Sequence, residues 1–305
     1  MLSDLTVIVA GAKGRMGRMF CDEMEERGAT VLRLGREDLA GGRELLPGAG
    51  HLVVDPSGAG GGDADAPEKG VNPEAGARFA PEFVEAARAA DLVLLCVPVA
   101  LTGPVAAAIA AMLPVPDSAV WADICSVKVE PMRHLARAVR GPVVGTHPLF
   151  GPSAKPGAPE RRTAVMLGER AGERDAALVE RLFTALGCEV FRGTPEEHDR
   201  AVAIFQSLNF LTSAAFLSLA AKTPGITPYM TPSFHRRIAA SKVLMMDDGE
   251  LFTGLTFQNN EVRDTLSRFT RCLREFVESP EAAAVELESA RSWWKDESLF
   301  RGKGK

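Results

Sequence analysis

Apolar residues in the first two-thirds of the chain fall in short unbroken runs separated by amphipathic stretches. Leu5–Ala10 is such a run; it carries β-branched residues and leads straight into glycines. That pattern predicts a strand buried on both faces, as in a parallel sheet. Arg15–Arg27 follows with helical spacing and Gly28 as its stop. Thr30–Leu34 is the second predicted strand, and Asp91–Val97, closed by Pro98, the next. Ala119–Asp123, Val143–Thr146, Thr163–Leu167 and Glu189–Arg192 complete the strands. Helices are expected near Pro81–Ala90, over Val105–Met112 and over Arg174–Leu186. Strands alternating with helices predict a parallel α/β sheet.

The character changes at Thr194. Thr194-Pro195-Glu196-Glu197 has a capping Thr, a Pro at the first helical position and a Glu three residues after the cap. Beyond it the strand pattern disappears. His198–Ala221, Ser233–Met246, Leu251–Val277 and Pro280–Trp294 all have helical spacing. The expected organisation is an α/β domain over residues 1–194 and an all-α domain over 195–305. Pro56–Pro81, rich in Gly, Ala, Asp and Pro, reads as a flexible insertion without chemistry.

Composition narrows the function classes. The net charge is -5, without the clustered Lys and Arg that nucleic acid or an anionic membrane surface would require. Apolar runs such as Val105–Val115 are too short and interrupted to span a bilayer, and no signal peptide is visible at the N-terminus. The cysteines at 21, 96, 125, 188 and 272 form no Cys-x-x-Cys pair, so neither a metal nor a dithiol centre is expected. This usage favours a reducing compartment, the cytoplasm.

Gly11-Ala12-Lys13-Gly14-Arg15-Met16-Gly17 joins the first strand to the first helix. Small residues are needed there because the turn is tight, the backbone must approach a pyrophosphate, and the helix must pack on the strand. The helix N-terminus then offers N–H groups and a positive dipole end to phosphates. In strict register with Gly-x-Gly-x-x-Gly the first Gly falls on Ala12, with Gly11 one place early. The context nevertheless predicts a Rossmann domain binding NAD or NADP. The second strand ends Leu34-Gly35-Arg36. An acid is missing where the adenosine ribose would be gripped, and Arg36 beside the gap leans toward a 2′-phosphate. The alternative is a solvated Arg36, with Glu37 taking the ribose.

Two motifs follow strands on the carboxyl edge of the sheet, where ligands of such sheets bind: Asp123-Ile124-Cys125-Ser126-Val127-Lys128, and Gly145-Thr146-His147-Pro148-Leu149-Phe150-Gly151-Pro152. Pro148 biases His147 toward extended backbone, which fixes the imidazole at the strand end. With Gly11–Gly17, Leu92–Pro98, His198-Asp199, Gln206 and Arg237-Ile238-Ala239-x-Ser241, these motifs resemble the prephenate and arogenate dehydrogenases of tyrosine biosynthesis.

That resemblance implies oxidative decarboxylation of prephenate, with NAD or NADP as hydride acceptor. His147 would take the C4 hydroxyl proton, which a neutral imidazole of reference pKa about 6.5 can do near neutral pH. Ser126 would orient His147 or the hydroxyl, or else cap the helix starting near Val129. Ser126, Val97 and Pro98 join Gly11–Gly17 and Arg36 as expected cofactor contacts. Lys128 would face cofactor or substrate, or be a solvated helix-start residue. Arg237 aligns with the family's carboxylate-binding arginine, with Lys242 as the alternative anchor. Gln206 reads either as a hydrogen-bonder in the cleft or as a buried, satisfied amide, and His198 as a helix-start residue. The resemblance further implies a homodimer through the helical domain. With no fused mutase expected before Leu5 and no regulatory domain after Phe300, end-product control would act at or near the active site. A dinucleotide-binding regulator without catalysis is the competing class; it would need neither His147 nor Ser126.

Overall fold

The computed structural model describes residues 1–39, 79–245 and 254–295, apart from the side chains of residues 242–245 and 294. The Pro56–Pro81 insertion lies outside the described residues except at its last three positions.

Seven strands form one sheet: β1 Thr6–Ala10, β2 Thr30–Leu34, β3 Leu92–Leu95, β4 Val120–Asp123, β5 Val143–Pro148, β6 Arg162–Leu167 and β7 Glu189–Arg192. Their spatial order is β2-β1-β3-β4-β5-β6-β7. Every residue of β3 and β4 is buried, including Asp123 at the end of β4, as in strands covered on both faces. The pairs β1–β2, β1–β3, β3–β4, β4–β5 and β6–β7 are parallel. The β5–β6 junction departs from the all-parallel expectation. Leu149 N–H donates to the Arg162 carbonyl at 2.8 Å and Gly168 N–H to the Val143 carbonyl at 2.9 Å, the register of an antiparallel pair. The reason is the connection: no helix is interposed between β5 and β6, so the chain turns back beside itself instead of crossing over.

The helices are α1 Arg15–Glu26, the short α2 Arg36–Leu39, α3 Pro81–Arg88, α4 Thr102–Met112, α5 Val129–Ala138 and α6 Glu173–Ala185. After β7 come α7 Pro195–Val202, a π-helical turn Ala203–Leu208, α8 Asn209–Ala221, α9 Pro232–Met245, α10 Val262–Glu278 and α11 Pro280–Lys295. The capping box at Thr194 forms reciprocally. Thr194 Oγ1 accepts Glu197 N–H at 3.2 Å, and Glu197 Oε2 accepts Thr194 N–H at 3.1 Å. Two helical expectations need correction. The stretch from His198 to Ala221 is interrupted by the π turn, and Leu251–Val277 is not one helix: residues 254–257 are helical, 258–261 are not, and α10 begins at Val262. Ahead of it Asn259 Oδ1 accepts Glu261 N–H at 3.0 Å, a local turn that competes with helix.

The chain packs as two compact units that do not meet at a single cut. One comprises Met1–Ile124, Pro131–Gly145 and Leu167–Leu186; the other Cys125–Glu130, Thr146–Met166 and Gly187–Lys305. Packing thus places Cys125–Lys128 of the first motif, Thr146–Pro152 of the second, β6 before its last residue and all of β7 with the helical unit, and Asp123, Ile124 and Gly145 with the other.

One helical stretch, Pro195–Ala221, is 27 residues long and apolar enough to cross a bilayer by length and composition alone. No uninterrupted apolar run marks it in the sequence, because a few polar residues break the run without breaking the helix. Only 22% of its most apolar window is buried.

At the end of β1, Gly11 has φ +80, and a Cβ there would lie 2.2 Å from the Cys96 carbonyl oxygen. Gly11→Ala is expected to cost about 1–3 kcal/mol or more from backbone strain and the clash, read as a lower urea midpoint.

Candidate active site

In the helical unit, β5 delivers His147 at its carboxyl end and α7 delivers His198 and Asp199 in its first turns. His147 Nδ1 lies 2.8 Å from His198 Nε2, and His198 Nδ1 lies 2.9 Å from Asp199 Oδ1. The same carboxylate accepts two backbone donors, Lys128 N–H at 2.7 Å on Oδ1 and Val129 N–H at 3.0 Å on Oδ2. These N–H groups open α5. Its cap is therefore Asp199, far away in sequence, and not Ser126 as one reading expected. Ser126 is half-buried, and its side chain meets no hydrogen-bond partner among the described residues.

The network assigns the protons. Asp199 is an acceptor toward two N–H groups, so His198 Nδ1 carries the proton that faces it. His198 Nε2 is then an acceptor, and His147 donates to it from Nδ1. The remaining nitrogen of His147, Nε2, is left with its lone pair. His198, read from sequence as a helix-start residue, is the side chain that imposes this tautomer. The adjacent His-Asp pair in the first turn of a helix was the available signal, but nothing in the sequence says that it faces His147.

Lys128 is also corrected. It is fully buried, and its Nζ donates to the Thr146 carbonyl at 2.6 Å. Burial, then the neighbouring His198 and Lys128, hold the His147 imidazole well below its ordinary value of 6.5. His147 is 4% exposed. A pocket of about 530 Å³ in this unit is walled by Leu149, Met166, Phe191, Phe205, His198 and Gln206, among others, and not by His147. Gln206, placed by the π turn, is half-buried on that wall. Arg237 is exposed on α9 and stacks its guanidinium 3.9 Å over the Phe216 ring. No contact brings it to His147. The Lys242 side chain lies outside the described residues.

The other unit holds the glycine turn. Gly11, and not Ala12, takes the left-handed backbone of the tight turn. A Cβ on Gly17 would sit 2.2 Å from the Gly11 carbonyl oxygen, so α1 packs directly on the turn. Gly14 is the N-cap of α1 and brings no side chain over its first N–H groups. These are the features a pyrophosphate cradle requires, and the turn fits a dinucleotide. Val97 lines it, with Cγ1 3.2 Å from a Cβ built on Gly11, and Pro98 follows, half-buried. Arg15 is exposed and Met16 half-buried. Lys13 forms an ion pair with Glu37, and Arg36 is exposed. No group of three or more His, Cys, Asp or Glu side chains that could hold a metal ion occurs among the described residues.

Residues 60–169 match the model of the prephenate dehydrogenase nucleotide-binding domain, a span that includes Ser126 and His147. The chain is similar to prephenate and arogenate dehydrogenases. It is 25% identical over 275 residues to the T-protein of Enterobacter agglomerans, covering 89% of this chain and 61% of that protein. It is 23% identical over 288 residues to a probable arogenate/prephenate dehydrogenase of Methanocaldococcus jannaschii, covering 90% and 57%. The chain thus spans about three-fifths of the length of these two curated relatives. The fold is shared with Aquifex aeolicus prephenate dehydrogenase solved with hydroxyphenyl propionate and NAD+ (TM-score 0.67, 17% identity, 97% of this chain and 98% of that one). It is shared equally with Synechocystis arogenate dehydrogenase (TM-score 0.66, 16% identity, 95% and 99%).

An imidazole that resists protonation in the folded chain has a pH signature. Below 6.5 the unfolded chain binds the extra proton and the folded chain does not, so this group's share of stability is complete above that value and is lost as pH falls. Imidazole NMR is expected to show His147 neutral, with its proton on Nδ1, from about pH 8 down to about pH 6, where an ordinary histidine is already largely protonated. Asp199→Ala is expected to cost about 2 kcal/mol by orphaning the α5 amides, measured by urea denaturation.

Proposed function

We propose that the chain is a prephenate dehydrogenase, converting prephenate to 4-hydroxyphenylpyruvate and carbon dioxide with hydride transfer to a nicotinamide dinucleotide. The observation that carries this reading is the hydrogen-bonded series His147–His198–Asp199, which leaves His147 Nε2 as a base held in one tautomer. The bound nicotinamide supplies the hydride acceptor.

In this mechanism His147 Nε2 takes the proton of the ring C4 hydroxyl as the C4 hydride departs. The C1–carboxylate bond then breaks, carbon dioxide leaves, and its electron pair aromatises the ring. The proton returns from His147 to the phenolic oxygen, so the enzyme is unchanged. While Nε2 of His147 holds the proton, its Nδ1–H stays hydrogen-bonded to His198 Nε2, which keeps the ring in place for the return step. Burial keeps the imidazole neutral before the step, the state a base must have. Ser126 is the candidate to meet the substrate hydroxyl, and Gln206 a second polar contact. Arg237 is the candidate anchor for a substrate carboxylate. Stacking on Phe216 uses the guanidinium face, and no acceptor among the described residues occupies its in-plane donors.

Arogenate is the second candidate substrate, since the arogenate dehydrogenase fold matches as closely as the prephenate one. The five cysteines, none in a disulfide, support a reducing compartment, the cytoplasm. A homodimer through the helical unit accounts for its bare apolar surface, where Phe205 is 62% exposed, Leu219 68% and Val277 84%.

Absorbance of the reduced nicotinamide band, followed with prephenate and with arogenate, tests the reading directly; no signal with either substrate would refute it. His147→Asn is expected to lower kcat by ~10²–10⁴ with dinucleotide binding retained. His198→Asn should lower kcat by roughly tenfold or more and shift the acid limb of its pH profile. Sedimentation equilibrium should give about twice the 32.5 kDa chain mass; a monomer would leave the apolar surface unexplained.

A further inference from the structure

The sequence leans toward a cofactor bearing a 2′-phosphate, because no acid stands at the end of β2 and Arg36 does. The atoms around Gly35 point the other way. A Cβ built on Gly35 would lie 2.5 Å from Glu37 Oε1 and 2.9 Å from Glu37 Cδ. The Glu37 carboxylate therefore fills the space that a side chain at position 35 would enter. An acid two residues further along is folded back to the end of β2, the place where dinucleotide folds accept the adenosine ribose.

Beside it lies Lys13, from the glycine turn, which forms an ion pair with Glu37. Lys13 lowers the Glu37 carboxyl below its ordinary value, so it is charged throughout the neutral range. The neighbouring acid is not available for this task, since Asp38 Oδ2 accepts Gly35 N–H at 2.7 Å. Arg36 is exposed and makes no ion pair with a described residue. Lys13 and Glu37 are 72% and 54% exposed at their side chains, so the pair is weakly held and its partners can be exchanged at little cost.

We propose that Glu37, paired with Lys13, is the residue by which this chain selects NAD over NADP. Its carboxylate accepts the ribose hydroxyls. It opposes a 2′-phosphate twice, by like charge and by occupying the turn's cation. Without that carboxylate, Lys13 and Arg36 become a ready pair of cations for the phosphate, so the preference is set by one side chain. This rests on the dinucleotide reading of the glycine turn.

The test is binding, not turnover: the whole chain is titrated with NADH and with NADPH, following fluorescence of the reduced nicotinamide. The wild type is expected to bind NADH about tenfold tighter than NADPH, and Glu37→Gln to invert that order. Lys13→Met in the Glu37→Gln background should remove the gain for NADPH. A wild type that prefers NADPH, or an unchanged ratio in Glu37→Gln with both nucleotides bound, overturns the proposal. A wild type folded by circular dichroism that binds neither nucleotide overturns the dinucleotide reading, and the proposal with it.

Discussion

A buried carboxylate must be met by hydrogen-bond donors to offset its lost hydration, and in this chain the arrangement around Asp199 follows from that requirement. Asp199 is 2% exposed. It obtains two donors from the opening turn of α5 and a third from the adjacent His198. Its backbone carbonyl also accepts Asn259 Nδ2 at 2.8 Å, which ties the approach to α10 to α7. Each bond does two things. The amide bonds finish a helix end that no local side chain caps, and they keep the carboxylate an acceptor. That in turn decides which nitrogen of His198 bears a proton, and hence which nitrogen of His147 does not.

The reversal between β5 and β6 provides the setting. A parallel crossover after β5 would carry the chain away from the strand end through a helix. The direct return keeps the segment after His147 close, and buries Arg161 with its guanidinium 4.8 Å from the Phe150 ring centroid. The turn after α6 closes against this segment: a Cβ on Gly187 would lie 2.7 Å from Gly157 N, and Gly157 N–H donates to the Gly187 carbonyl at 2.9 Å. His147 thus sits on a strand end braced by backbone contacts.

The helical unit has the opposite character. Its long apolar stretch is mostly uncovered, and α10 and α11 expose Leu266, Leu273, Val277 and Val285. Surface of this extent has a free-energy cost in water that a second copy would remove. The π turn lies within the same stretch, between α7, which bears His198 and Asp199, and α8, which bears the exposed Leu219. A π turn rotates the facing of the residues beyond it, so the polar side chains of α7 and the apolar ones of α8 need not share one stripe.

Unbroken apolar runs specified the strands of β1, β3 and β4, because full burial on two faces leaves no room for alternation. The glycines at 11 and 17 marked the cofactor turn, because only residues without a Cβ fit there between a strand end and a packed helix. His147 was legible too, fixed by Pro148 at a strand edge. The roles of His198, Asp199 and Lys128 were not, because a hydrogen bond between residues far apart in the chain leaves no local pattern. The same holds for Glu37: reading along the chain shows a glycine where an acid is expected, and only the folded backbone brings the next carboxylate into that gap. Periodicity and sterics act between neighbours and are written in order along the sequence; proton placement and charge pairing depend on which distant groups meet, and tertiary packing decided them.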